Sequence, residues 1–548
     1  MKYLFSFLVL WSTSLWGGSK LNLRLSAWPK SMNKLTSSDA YLSMVAQFVH
    51  ATLIETDQKT LEIIPSVAQK WTVSKDTKTV HMTLNPKATF DDGSVITSED
   101  VLFTFNLVYD KKKCVLCEST RTYIGPVKAV SLDKHSMRFD FEREHFANLQ
   151  RLESVPILQK KVYEKGDFNR DFDRTLSGAG PYIYHKKKSR FRKKIVLKKR
   201  KNHWHFEQES HSERSKFDTV VFKYIQDDTV AFESFKKKSL SVFYFSQATY
   251  RFWDQKQSFP FTDKQVQRVE APLLNPSRWG GIALNMRTGI LKDKKIRKAF
   301  QLLLDRETIT QKKYGGHVRP VVGPFMEGTS YSAGLPAIKY QPKSAAAYLK
   351  EAGFVKIDDQ GVLYREIIEE GKKIKQRASL EVLYANKDHE AWLTLYKADA
   401  REQGVEIKPR FLDWSALIKS LDGLDFQGCV IGWVGDPIPS PNQLWHSRSA
   451  KQKGTSNISG FEDAEVNKWI EEGTSELQVQ KRYEIYHKME RRIVDEQPYI
   501  FTWTGNKHYA SYWSHKVNPT DSPFHKFSGS LEVASFFLHW QPGQQRKS

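Results

Sequence analysis

A chain of 548 residues is too long for one compact core, and at roughly 100–200 residues per domain it divides into about three units. Hydrophobic residues make up 40% and aromatic residues 13%, with no long low-complexity tract, which excludes a bulk disordered or fibrous chain. The formal net charge is +23, from 85 Lys and Arg against 62 Asp and Glu. Much of it is local, densest in the run KKKSRFRKKIVLKKRK at 186–201 and smaller at 111–113 and 236–238.

The chain opens on Met1-Lys2 and an apolar stretch from Tyr3 to Trp16, followed by Gly17, Gly18 and Ser19. That stretch is shorter than the ~20 residues of a membrane span and sits where export signals sit, so 1–18 reads as a signal peptide. No cysteine follows it to carry a lipid, and no later segment is apolar for long enough to span a bilayer. The expected mature protein is exported, soluble and most simply periplasmic.

Strand and helix signals then alternate. The segment 21–26 (LNLRLS) alternates apolar and polar residues, a period-two strand, and a helix is expected over 41–53. A strand at 80–84 leads to the Asp92-Gly93 turn, and Thr97 with Asp100 has capping-box spacing for a helix carrying Val101, Phe105 and Val108 on one face. Cys114 and Cys117 form CVLC in a Lys-rich loop. In an exported protein such a pair is expected as a local disulfide, with free thiols as the alternative. Zinc would need two more ligands, which no second CxxC or paired His motif supplies, and a redox role would want the motif at a helix start after a strand.

Strands are expected at 137–141, 182–184 and 195–197, so the basic run straddles a hairpin. Its plain reading is a solvated face. The functional alternative is contact with anionic envelope polymers or an acidic partner; nucleic acid is the weaker option, because aromatics within the run are too few for a stacking platform. Further strands are expected at 220–225, 282–285, 380–384 and 430–433. Helices are expected at 229–235, through Ile296, Phe300 and Leu303, at 344–351 before Gly353, at 389–403 before Gly404, and through Tyr483, Tyr486, Met489 and Ile493. Cys429 reads as a buried small hydrophobe. Strands alternating with helices imply mixed α/β lobes.

No GxSxG elbow, Walker loop, HExxH helix or strand-coupled GxGxxG occurs; His389-Glu390 begins like a zinc-protease helix, but position 393 is Leu. No catalytic residue, cofactor or metal is therefore expected, although triads do assemble from distant residues.

Several segments, in order, carry a resemblance. They are PSVAQKWTVSKDTKTVHMTLNPKATFDDGSVITSEDVLFTF (65–105), GAGPY (178–182), KKRKNHW (198–204), FDTVVFKYIQDD (217–228), LNMRTGILKDKKIRKAFQLLLDRETI (284–309), AAAYLKEAGF (345–354) and QKRYEIYHKMERRIVDEQPYIF (480–501). The set resembles the peptide- and nickel-binding receptors of ABC importers, the extracellular solute-binding family 5. The first block looks like the family's signature of a short helix, a hairpin, an Asp-Gly turn and a capped helix. It departs from the usual pattern at the residue after Lys75-Asp76 and at Asn85, and Lys238-Ser-Leu-Ser-Val242 replaces a usual Gly-x-x-Asp. VPILQKKVYEKGDFN (155–169) and SPNQLWHSRSAKQKGTSNISGF (440–461) resemble the oligopeptide and microcin C subgroup.

The resemblance implies an α/β, two-lobed periplasmic binding protein fold (type II, cluster C) with an extra subdomain in the first lobe. Lobe I would take 19–64, 178–284 and 499–548, the subdomain 65–177, and lobe II 285–498, with hinge crossings near 283–287 and 499–504. It implies a monomeric receptor that captures peptides or peptide-like ligands for an inner-membrane ABC permease and its ATPase subunits, with no nucleic acid partner. A modified ligand (a peptidoglycan fragment, a peptide-nucleotide or a metal-chelate) is the alternative, and a periplasmic hydrolase or a scaffolding protein on the same fold the more distant ones.

A buried peptide α-amino group needs a carboxylate. Asp436, in GWVGDP, matches the position where related receptors place theirs, although Gly435-Asp436-Pro437 replaces the commoner Ala-Asp-Tyr and an Asp before Pro is also a common turn. Trp433 and Trp445 flank that loop as pocket walls or core. Arg287 could face a ligand carboxylate, Asn285 stands beside it, Asn442 could bond a peptide amide, and Trp28 is a weaker candidate.

Overall fold

A computed structural model describes residues 19–543 except 30, 38–39, 58–61, 173, 208–214, 246–248, 273–277, 370, 435–438, 453 and 519–540. The expected signal, 1–18, lies outside the described residues.

The first strand, Lys20–Leu25, buries Leu21, Leu23 and Leu25 as its alternation requires. It pairs in parallel with Thr219–Tyr224, and Lys194–Lys199 and Tyr182–Tyr184 complete a four-stranded sheet. The helix Ala40–Val49 packs on this sheet, with Phe48 edge-on to Tyr182 and Phe222. The first unit is discontinuous in sequence, since Lys20 pairs with Thr219. The basic hairpin forms in this sheet, with its arms at Tyr182–Tyr184 and Lys194–Lys199.

Inside 65–177, the strands Ala68–Val73, Thr79–Leu84, Ser136–Phe141 and Val127–Asp133 form an antiparallel sheet over a core of its own, built on Val80, Met82, Phe105 and Phe139. The helix Ser98–Tyr109 starts where the capping signal places it: the Asp100 carboxylate accepts from the Thr97 N–H and hydroxyl, both at 3.0 Å. The short helix expected at the start of the 65–105 block is absent; Ile63–Pro65 and Ala68–Val73 are strands. The N–H groups of Val67 and Ala68 donate to the carbonyls of Thr52 and Leu53, and Val67 O accepts from Asn85 N–H. Backbone groups committed to tertiary partners cannot close helical turns.

The second unit is built on a mixed five-stranded sheet, in the order Glu406–Phe411, Ser379–Tyr384, Gly428–Val434, Arg278–Leu284 and Tyr499–Phe501. Helices Lys294–Leu302, Pro342–Glu351, Glu390–Glu402, Ala464–Ser475 and Val479–Glu496 belong to the same stretch of chain. Strand pairing draws Arg278–Leu284 and Tyr499–Phe501 into this sheet, whereas the sequence reading placed both with the first unit. Ile282 faces Val430 on one side and Ile500 on the other, so its strand lies inside the sheet. The partner layer is a three-stranded sheet of Val242–Phe245, Lys507–Trp513 and Val266–Pro272. The chain therefore crosses between the layers just before Arg278, upstream of 283–287, and again between Phe501 and Lys507, close to 499–504.

Candidate functional site

A cleft of about 830 Å³ opens between the three-stranded and five-stranded sheets. Its floor is made by the adjacent strands Arg278–Leu284 and Gly428–Val434, which present Trp279, Gly280, Gly281, Val430, Ile431 and Gly432. The glycines are needed where strands approach closely: a Cβ on Gly281 would stand 2.1 Å from the Ile500 carbonyl oxygen, and one on Gly280 3.0 Å from that of Ile431.

On each side of the cleft aromatic rings pack within their own layer. Tyr509 packs against Tyr250 (5.3 Å) and Trp253 (4.9 Å), and Trp503 packs against Tyr314 (5.4 Å) and Trp392 (5.2 Å). His317 ties the layers at the second crossing. Its Nδ1 lies 2.9 Å from the Tyr509 hydroxyl and its Nε2 3.2 Å from Asp254 Oδ1. The next residues, Val318–Pro320, pair with Trp503–Gly505. An Asp–His–Tyr series at a cleft has the outline of a nucleophile with its base, but burial pushes the Tyr509 hydroxyl up to about 12. At neutral pH it remains a protonated hydrogen-bonding group, and the series is a structural tie.

Charge enters the cleft from turns. Lys312, Lys313, Tyr314 and Gly315 end the helix Arg306–Lys312, and Asn386, Asp388 and His389 follow the strand Ser379–Tyr384. Arg251 comes from the facing helix Tyr250–Trp253. Arg251, Lys312, Lys313 and Asp388 make no ion pair among the described residues, whereas Lys507 is paired with Glu270. His389 is held down to about 4 by burial and is neutral at pH 7. The chemistry on offer is thus unpaired charges of both signs, a neutral imidazole and an aromatic wall. Among the described residues no group of three His, Cys, Asp or Glu is gathered to hold a metal ion.

The residues singled out in the sequence are distributed differently. Trp445 is buried, stacked on Trp279 at 5.9 Å, and Trp433 donates from its indole nitrogen to the Tyr499 hydroxyl at 3.0 Å; both support the Trp279 wall from behind. Asn285 is fully buried, with its amide bonded to the carbonyls of Leu424 and Phe426. Arg287 donates to the carbonyls of Ala450, Ile458 and Asn457 and to Asn285 Oδ1, so its guanidinium is committed to the protein's own loops. Asn442 accepts from Arg448. Trp28 lies against Phe191 and Tyr224 beside the basic hairpin. Asp436 lies outside the described residues, but the strand Gly428–Val434 that leads to it lines the cleft. That strand runs parallel to its neighbour Ser379–Tyr384, so the two end at the same edge of the sheet. The missed cleft residues at 386–389 follow this rule: in α/β sheets ligands bind beyond the carboxyl ends of the strands. Sequence reasoning could have applied it to both strands.

The sulfurs of Cys114 and Cys117 are bonded, with Cα atoms 5.4 Å apart, and Cys429 is buried and free.

Two α/β lobes joined by crossing strands, with a cleft between them, define the binding-protein class of fold. The chain belongs to the bacterial extracellular solute-binding proteins, family 5, whose model matches residues 62–455. The oligopeptide-binding protein AppA of Bacillus subtilis is 24% identical over 497 residues, covering 88% of this chain and 85% of that protein. Its structure in complex with a nonapeptide superposes with a TM-score of 0.76 at 21% identity, covering 96% of this chain and 99% of that one. The periplasmic binding protein DppA of Helicobacter pylori, solved with the peptide STSA, gives a TM-score of 0.74 at 16% identity, covering 96% and 98%. NikZ of Campylobacter jejuni, solved with Ni(L-His), gives 0.76 at 18%, covering 95% and 99%. No helix among the described residues is long and apolar enough to cross a membrane.

Proposed function

We propose that this protein is the periplasmic substrate-binding component of an ABC importer, a monomer that closes two lobes on a short peptide or peptide-like ligand and delivers it to a permease with its ATPase subunits. The observation that carries the reading is the interlobe cleft: about 830 Å³, within the roughly 300–1,000 Å³ of small-ligand sites, lined by charges of both signs, Asp388 and Lys312, Lys313 and Arg251, that make no ion pair among the described residues. A peptide is a zwitterion, and burying its ends requires an opposite charge for each. The names of the relatives, which include two structures with peptides bound, support this class of ligand. Asp436, on the loop after a cleft strand, is proposed as the ammonium anchor. The excess of unpaired cations over Asp388 favours, as a second reading, a peptide carrying an added anionic group. Mass spectrometry of the ligand that copurifies with the native protein tests both: a peptide mass supports the first, an acidic modification the second, and a bare metal chelate refutes the pair.

A further inference from the structure

We propose that the basic hairpin 182–199 docks the protein on an anionic phospholipid surface, at a site separate from the ligand cleft. At the hairpin tip Lys186, Lys187, Lys188, Arg190, Arg192 and Lys193 are all exposed, and none makes an ion pair among the described residues. The other charged hairpin, Leu363–Glu369 with Lys372–Arg377, behaves differently: Lys373 pairs with Glu366, and Arg377 with Asp358. Those cations are paired with acids in or beside their hairpin, whereas 186–201 contains no acidic residue at all. Unscreened repulsion among close cations is unfavourable unless an external polyanion relieves it.

The tip also carries an exposed apolar ring. Phe191 is 68% exposed, between Arg190 and Arg192, with the Arg174 and Arg192 guanidiniums 5.9 and 5.6 Å from its centroid. Half-buried Trp28 meets it edge-on at 5.5 Å. An aromatic ring ringed by cations suits the headgroup boundary of a bilayer, where the ring enters the acyl margin and the cations meet phosphates. A soluble polyanion would engage the cations and leave Phe191 in water, and one exposed ring is not a stacking path for bases. The patch is preformed, because its arms are strands of the sheet that holds Lys20–Leu25.

The test is co-sedimentation of the full chain, as processed by the producing cells, with vesicles of phosphatidylglycerol and phosphatidylcholine or of phosphatidylcholine alone. Binding is expected only with the anionic vesicles. Each cation near such a surface contributes about a fivefold change in partition, so K186Q/K187Q/K188Q should weaken it on the order of a hundredfold. The equal charge change K372Q/K373Q/K375Q should leave it nearly unchanged, because charges beyond a Debye length are screened. F191S should lower the salt concentration that releases the protein. Unchanged thermal midpoints will show that each variant is folded. Equal losses in both triple variants, equal binding to both vesicles, or no vesicle binding, with or without capture by polyphosphate, would overturn the proposal.

Discussion

The proposed roles of Asp436 toward a ligand ammonium and of the lysine pair at 312–313 toward a ligand anion make separable predictions. Removing one partner of a buried charge pair leaves the other unpaired, so Asp436→Ala should weaken a free-amine peptide by roughly 30- to 3,000-fold. An N-acetylated version of that peptide should bind the native protein weakly and lose little more on mutation. Calorimetric titration of both peptides against both proteins reads this, and equal losses for the two would make Asp436 a turn residue. Lys312→Gln with Lys313→Gln should instead penalise ligands with a free or added carboxylate or phosphate, by roughly tenfold or more, and spare amidated ones. Identical losses for carboxylate and amide peptides would remove the pair from recognition. At this scale the sequence was legible for composition and not for role. Arg287 and Asn285 look like ligand contacts on paper, yet their donors are taken up by the carbonyls of Ala450, Asn457, Ile458, Leu424 and Phe426. Those partners lie well over a hundred residues away, beyond the reach of any local pattern.

Elements were more legible, because their periods are local. Alternation located Lys20–Leu25 and Ser136–Phe141, and the Thr97–Asp100 spacing located the start of Ser98–Tyr109. What eluded reading was pairing: the place of Arg278–Leu284 inside its sheet is set by neighbours at Gly428–Val434 and Tyr499–Phe501. Gly281 depends on that pairing. Gly281→Ala would force a methyl group against the Ile500 carbonyl, and overpacking of this kind costs about 1–3 kcal/mol. Gly432→Ala is the control, since its nearest neighbour, the Trp279 carbonyl, is 3.6 Å away. Urea unfolding should separate the two, and equal midpoints would show that the strands part to accept a side chain. The Cys114–Cys117 link is also an element-scale device, closing the turn between Ser98–Tyr109 and Glu118–Ile124. A loop this short contributes about 2 kcal/mol by chain entropy. Replacing both cysteines with Ala should lower stability by that amount, as should reductant on the native protein. Thiol titration of unfolded, unreduced protein should find Cys429 alone; three labelled thiols would refute the link.

At the scale of the whole molecule, three buried histidines make stability depend on pH. His50 has neither ring nitrogen hydrogen-bonded, with Lys34 as the facing charge, and burial holds it down to about 4. His389 is held to about 4 by burial, with Asp388 and Lys313 facing it. His145 is held to about 3 by burial and by Arg151 and Arg482, with Arg151 2.7 Å from its Nε2. His145 sits where the small subdomain meets the second unit: Phe146 N–H donates to Thr474 O, and Arg482 lies 3.9 Å over the Phe146 ring. The unfolded chain protonates each imidazole near 6.5, while the folded protein keeps it neutral until about pH 4 or below. Over that window the unfolded state binds more protons, so stability falls as pH falls, by about 1.4 kcal/mol per pH unit for each histidine. Buried Glu490 works the other way. Burial raises it, so it takes up a proton in the folded state before the unfolded one, which adds stability on acidification. A difference between native and variant protein cancels that opposing contribution. His50→Leu should therefore lose about 1.4 kcal/mol less per pH unit than the native protein between about pH 6 and 4.5, and match its slope above pH 7. Urea unfolding across that range measures both slopes. Parallel curves below pH 6 would show that His50 is already protonated, and solvated, in the folded protein.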